Sequence, residues 1–318
     1  MELDKNINFI ENNYEVISFY YLGRGTKKYI GSKSDPCRFC GRAEPDVTFK
    51  TIAHAVPEFL GNKQLILKNE CDSCNKFFSE NLENHLDKYT KHYRTASQVK
   101  GKKKIPSHTS KDKKTRFDIY SGDKPTTICS RENSSLTKLD VKNKTLTYIF
   151  EVEPHIPAAV YKCLVKIGIS IIPECEVANF KHTIQWINNP NHSRHFLKPL
   201  TLLSSLIPGP KPNKKLTIFV LKKLDLVSTK PSYLLVMGFG NLTYQIIVPS
   251  DLDTKLGGPD LVFRVPTPFD KGWQYGPPQK NVVDLTNSEL VFDMKVPMTF
   301  SADAVIEVPI TEYNNLSI

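Results

Sequence analysis

The chain has no long apolar run. Among its 318 residues the greasiest stretch, AAVYKCLVKIGISII, carries two lysines and falls short of the roughly 20 residues a membrane-crossing helix needs. The start, MELDKNINFIENNYEV, is acidic and polar, so a secretory signal is not expected there. A cytoplasmic protein is expected. The sequence lacks a Gly-rich phosphate-cradling loop, which argues against an autonomous NTPase. It also lacks internal repeats. Disorder of the whole chain is not expected either, because 40% hydrophobic and 10% aromatic content can build a core. The length allows two domains.

Cysteine is sparse but patterned. Four of the seven form two pairs, CRFC at 37–40 and CDSC at 71–74. In a cytosolic chain two CxxC knuckles fit one tetrahedral zinc site better than disulfides or a redox pair. Cys37, Cys40, Cys71 and Cys74 are the expected ligands of a closed structural Zn²⁺ that fastens a small unit. Cys129, Cys163 and Cys175 lack ligand spacing and read as small buried apolar residues.

The net charge of +10 is unevenly spread. Residues 1–90 hold 12 basic and 13 acidic groups, residues 91–116 hold 10 and one, and the remainder holds 21 and 19. The basic stretch 91–116 reads as a linker or exposed arm, either merely solvated or gripping an anionic polymer through counterion release. Its candidate nucleic-acid-binding residues are Lys100, Lys102, Lys103, Lys104, Lys111, Lys113 and Lys114.

Along the chain, YEVISFYYLG and KKYIG read as strands around the turn GRGTK. VTFKTIAHAVP is a further β-prone stretch, and QLILK follows the turn at Gly61–Asn62. After Cys71 the spacing of Phe78, Leu82, Leu86 and Tyr89 predicts a helix. Further on, IPAAVYKCLVKIGISIIP is bounded by prolines as a helix, with a second expected in ECEVANFKHTIQWI. RFDIY, TTICS, LTYIFEVE, KLTIFVLKKL, SYLLVMGFG, LTYQIIV, DLVFRV and ELVFDMKVPM read as strands. The expected fold is α+β: a zinc-bound unit over 1–90, the basic linker 91–116, and a larger strand-rich α+β domain over 117–318.

His54 lies between the knuckles, and zinc with four sulfurs does not need it. It is either a packed or surface histidine, or a general base held in place by the zinc unit. Here the sequence resembles a known family. CRFC, AHAVP and CDSCN resemble the HNH endonucleases, whose ββα-metal fold joins a hairpin to a helix across a divalent cation. The likeness is to zinc-stapled members, phage Holliday-junction resolvases among them, and to standalone bacterial HNH proteins with a C-terminal α+β extension. It covers about residues 35–90.

The resemblance implies that His54 activates water against a phosphodiester and that Asn75 binds the catalytic Mg²⁺ or Mn²⁺ or orients the site. It also implies products with 5′ phosphates. In many members an acidic residue or histidine precedes the catalytic histidine as a metal ligand, and here that position is Ala53. Glu83 is the foremost replacement, about 80° around a regular helix from Asn75; Glu80, Glu58 and His85 are others. Asn62 or Asn69 would tie the hairpin together, and Lys63 and Lys76 could touch phosphate. The implied function is DNA cleavage, most simply of double-stranded DNA by a homodimer, in restriction or antiphage defence. An activating ligand or partner would be read by 117–318. The alternative is a non-catalytic zinc module that binds nucleic acid.

Overall fold

The computed structural model describes residues 2–23, 25–118, 127–131, 134–194, 198–210, 212–225, 230–253, 264–267, 274–307 and 309. Helix α1 (Glu2–Asn13) leads into β1 (Tyr14–Leu22), followed by short β2 (Lys28–Ile30) and β3 (Leu65–Leu67), which pair in parallel. Helix α2 (Asp72–Phe78) runs through a π-helical turn, Ser79–Glu83, into α3 (Asn84–Ala96). Next come β4 (His108–Thr109), β5 (Thr115–Asp118), β6 (Thr127–Ser130), β7 (Thr137–Asp140) and β8 (Thr145–Glu151). Helices α4 (Pro157–Ile171) and α5 (Lys181–Ile187) are joined by a 3-10 turn, and β9 (Thr201–Leu206) comes after them. The last strands are β10 (Asn213–Lys223), β11 (Tyr233–Gly240), β12 (Leu242–Ile247), β13 (Gln279–Asp284) and β14 (Lys295–Ser301).

A six-stranded antiparallel sheet has the order β1-β10-β11-β12-β9-β13, and two three-stranded sheets run β14-β8-β7 and β4-β5-β6. The expectation places β1 within the zinc unit, but it pairs with β10 from Tyr14↔Lys223 to Leu22↔Leu216. Alternation of Tyr14, Ser18 and Leu22 toward the interior suits that edge position. Helix α4 is buried on every side, as a helix apolar around its circumference must be. It packs on α3, the π turn, α5, β11 and β12. One apolar core therefore runs from Phe39, Leu65, Phe78 and Leu82 through α4 into Ile218, Val236 and Ile246. A smaller cluster of Phe117, Tyr148, Phe150 and Met298 joins the two minor sheets.

The helix stripe Phe78, Leu82, Leu86 and Tyr89 is buried as expected. Four other expectations change. VTFKTIAHAVP is irregular backbone with one ladder contact, His54↔Ile66; loop bonds to Asp72 take the place of a strand partner. The basic stretch 91–116 is not a free linker, because α3 continues to Ala96 and β4 and β5 occupy its far part. In ELVFDMKVPM only Lys295 onward is strand. Cys163 is buried, but Cys129 is half-buried and Cys175 exposed. Most of DLVFRV lies outside the described residues.

Candidate active site and metal centre

The first knuckle is a tight turn: Gly41 N–H donates to Cys37 O at 2.8 Å, and Cys37 N–H to Arg42 O at 2.8 Å. Gly41 has φ 69°, left-handed backbone that suits glycine. The second knuckle opens α2, with Cys71 at its N-cap and Cys74 in its first turn. All four Sγ atoms lie within 4.8 Å of one another, and Cys40 and Cys71 are 3.8 Å apart. A tetrahedron of Zn–S bonds has edges of about 3.8 Å, far longer than a disulfide. Sulfur-only donors at this spacing fit zinc. Without a cation the crowded sulfurs cannot all carry charge together: the hydrogen bond with Cys37, then burial, holds the Cys74 thiol far above its ordinary value, while the same bond draws Cys37 down to about 4.

Between the knuckle cysteines, Arg38 is buried, and its Nη1 donates to Ile169 O at 3.0 Å and Ile172 O at 2.9 Å. Its Nη2 meets Glu174 at 2.6 Å. The knuckle thus caps the C-terminal carbonyls of α4 with a cation.

His54 sits opposite Ile66, flanked by Leu67 N–H to Ala53 O at 2.9 Å and Ala55 N–H to Leu65 O at 3.2 Å. The loop before it is held by Asp72, whose carboxylate accepts from Thr51 N at 2.7 Å, Lys50 N at 3.1 Å and the Thr48 hydroxyl. The loop after it is held by wholly buried Asn62. Its Nδ2 donates to Val56 O at 2.7 Å and Leu65 O at 3.0 Å, and its Oδ1 accepts from Gln64 N and Leu65 N. Asn62, one of the two residues named for tying the hairpin, makes those bonds. Asn69 instead lies buried against Gly31.

The His54 ring is half-buried and, among the described residues, makes no hydrogen bond. Burial lowers its pKa below the ordinary value; Glu58 and Glu83 pull it back up, while Lys102 and Lys166 push it down. Those four residues therefore share its electrostatic neighbourhood. Asn75, half-buried on α2, likewise leaves its amide free of protein partners among the described residues. The π turn between Asn75 and Glu83 voids the 80° expected for a regular helix. Glu83 Oε1 stands 3.5 Å from Lys166 Nζ, and that amine is 3.0 Å from Glu70. Lys166 and Glu70 are both wholly buried, with the amine near the rings of Phe39 and Phe78.

Lys166 belongs to α4. A lysine four residues after Lys162 inside an apolar helix was its only mark in the sequence. Of the other replacements for a ligand at Ala53, Glu80 is exposed, and His85 is occupied on Nδ1 by Ile156 N–H at 3.1 Å. No second cluster of three His, Cys, Asp or Glu ligands exists among the described residues. Mg²⁺ binds typically through one or two carboxylates, waters and substrate phosphate. Of the candidate oxygens, Glu83 and Glu58 both lie close enough to act on His54 electrostatically, and Glu83 is also paired with Lys166.

The seven candidate lysines divide into two groups. Lys100, Lys102, Lys103 and Lys104 are exposed on a turn closed by Gly101 N–H to Lys104 O at 3.3 Å. Gly101 packs on Phe59, and Lys63 Nζ reaches Lys102 O at 3.5 Å, so this turn sits beside the His54 loop. Lys111, Lys113 and Lys114 occupy the β4–β5 turn, where Lys111 is ion-paired with Asp293 at 2.5 Å. Lys76 is exposed.

The family model described as HNH endonuclease matches residues 37–91. That span contains both knuckles, His54, Asn62, Asn75 and Glu83. A search of curated proteins found no match, and a search of solved structures found none. No helix of the described residues is long and apolar enough to cross a membrane.

Proposed function

We propose that the protein is a metal-dependent endonuclease that hydrolyses DNA phosphodiesters, with zinc on the four cysteines holding its site together. The observation that carries this reading is the half-buried His54, fixed between two pinned loops with its ring free of protein partners. The HNH match over 37–91 supports it. In this mechanism a neutral His54 nitrogen takes a proton from water as the water oxygen attacks phosphorus. The bond from phosphorus to the 3′ oxygen breaks, leaving a 5′ phosphate. Mg²⁺ or Mn²⁺ on Glu83, Asn75 and Glu58, when bound, would neutralise charge on the phosphate and the departing oxygen. The exposed turn 100–104 grips the backbone without reading sequence.

The resemblance extends this role to cytoplasmic restriction or antiphage defence, with a homodimer cutting double-stranded DNA and the C-terminal part receiving a signal. A second reading, a zinc module that binds nucleic acid without cutting it, draws on Ala53 and on the sparse ligand set. Cleavage of supercoiled plasmid decides between them. The parent should nick with Mg²⁺ or Mn²⁺, and His54→Ala should lose at least about a hundredfold in rate while keeping its zinc. Cleavage by the mutant at the parental rate would remove His54 as the base. Tight binding without cleavage by the parent would favour the second reading.

A further inference from the structure

The backbone places a second residue in the row that contains His54. Ile66 of β3 is the shared partner: it pairs with Tyr29 of β2 in parallel and with His54 through an antiparallel bridge. The ladder around them is closed by Lys28 N–H to Gln64 O and Lys68 N–H to Ile30 O, both 2.8 Å. Residues directly paired across a ladder project to the same face. Tyr29 and His54 therefore share a face, two strand spacings or roughly 10 Å apart.

Tyr29 is not packed away there. It is 56% exposed, whereas Ile66 between the two is 6% exposed. Lys68, just past the end of β3, sets its ammonium 4.3 Å from the Tyr29 ring centroid. The ammonium lies over one face of the ring in a cation–π contact, which steadies it, and the 56% exposure of Tyr29 leaves other ring surface accessible. An aromatic face next to a lysine matches what single-stranded nucleic acid offers, a base with a free π-face and a flanking phosphate. A base inside a duplex already has both faces stacked on its neighbours and cannot use the ring.

We infer that Tyr29 and Lys68 form a subsite for an unpaired nucleotide adjacent to the phosphate held at His54, with Tyr29 stacking on the base and Lys68 pairing with its phosphate. The strand cut at this site is thus unpaired or splayed beside the scissile bond, whether it comes from a single strand or from an open stretch of duplex. This rests on the nuclease reading for the role of His54, and Tyr29 lies outside the 37–91 match.

The test is fluorescence anisotropy of the full-length, zinc-loaded protein without added Mg²⁺ or Mn²⁺. The probes are a labelled oligothymidine and the same strand annealed to its complement. Tyr29→Ala should weaken single-strand binding about tenfold and leave duplex binding within about twofold, and Tyr29→Phe should restore the parental value. Lys68→Ala should weaken single-strand binding and reduce the slope of log affinity against log salt by about 0.7. Because Tyr29 is exposed, zinc content and urea midpoint should stay parental in its variants. Failure of the parent to bind the single strand, parental affinity in Tyr29→Ala, or an equal loss on both probes would each overturn the inference. The nicking assay with His54→Ala is scored separately, so the subsite and the nuclease reading can fail independently.

Discussion

Asn62 shows how much one side chain can hold near the candidate base. It is wholly buried and makes four hydrogen bonds to the backbone between Val56 and Leu65, closing the loop after His54. Asn62→Ala leaves several of those buried groups unpaired and should cost about 3 kcal/mol of unfolding free energy in urea. His92 is the opposite case, a buried imidazole whose two nitrogens find no hydrogen-bond partner among the described residues. Burial, with His108, His155 and Arg94 adding to it, pushes its pKa down to about 3, and burial takes His85 down to about 4. Unfolded histidine titrates near 6.5. Above that pH neither state binds the proton; below it the unfolded chain does and the native one does not. Stability is therefore complete above about 6.5 and falls as pH drops toward 4, by roughly 3 kcal/mol for the fully buried His92 and by less for the partly exposed His85, whose charge water screens. Urea midpoints measured from pH 7 to pH 4 should fall along this course. His92→Phe, which removes two unpaired nitrogens and keeps a ring beside Tyr93 and Phe150, should flatten part of it.

Helix α4 was legible as an element because its prolines and apolar run need no partner to be read; what it does for the candidate site was not. Lys166 and Lys162 looked like interruptions in that run. In the fold Lys162 donates to Asn189 O at 2.9 Å and Asn191 O at 3.1 Å, and Lys166 reaches beneath the four-cysteine knuckles to meet Glu70 and Glu83. Pairings across 83 or 96 residues leave no local trace. The π turn escaped for a related reason, since the stripe from Phe78 to Tyr89 fits a regular helix equally well. The 47–57 stretch was β-prone yet pairs only at His54, because strand propensity reflects packing against a neighbour more than any intrinsic preference. The cysteine knuckles were plain throughout, since their chemistry is local. The buried ion pair leads to a paired prediction. Lys166→Met strands the Glu70 carboxylate and should cost about 4 kcal/mol, whereas Lys166→Met with Glu70→Gln removes both charges and should recover most of it. Urea unfolding of the zinc-loaded proteins measures both, and an equal loss in the two variants would show that the charge pairing is not what holds α4 to the zinc unit.

On the scale of the molecule, the segment matching the HNH family is built into the rest of the chain. The six-stranded sheet begins with β1, the apolar core is continuous through α4, and Arg38 anchors the first knuckle to the end of that helix. The basic stretch, expected as a loose arm, is held in place as well, and this divides its charge between two locations. The 100–104 turn lies against Phe59 and Lys63 beside His54, whereas the 111–114 turn is tied to Asp293 near β14. If the polymer passes over His54, the two groups cannot contribute equally. Changing Lys100, Lys102, Lys103 and Lys104 to Gln should reduce the slope of log affinity for duplex DNA against log salt by about 3 to 4, since each phosphate contact contributes about 0.9. Changing Lys111, Lys113 and Lys114 to Gln should move it by less than about 1. The first set carries a second signature. Lys102 is one of the charges that lower the His54 pKa, so its removal should shift the acid limb of the cleavage profile to higher pH. The 111–114 set has no such connection to His54 and should leave that limb in place. Equal changes in slope from both sets would instead mean that the polymer tracks the length of the basic stretch, with no preference for the turn beside the histidine.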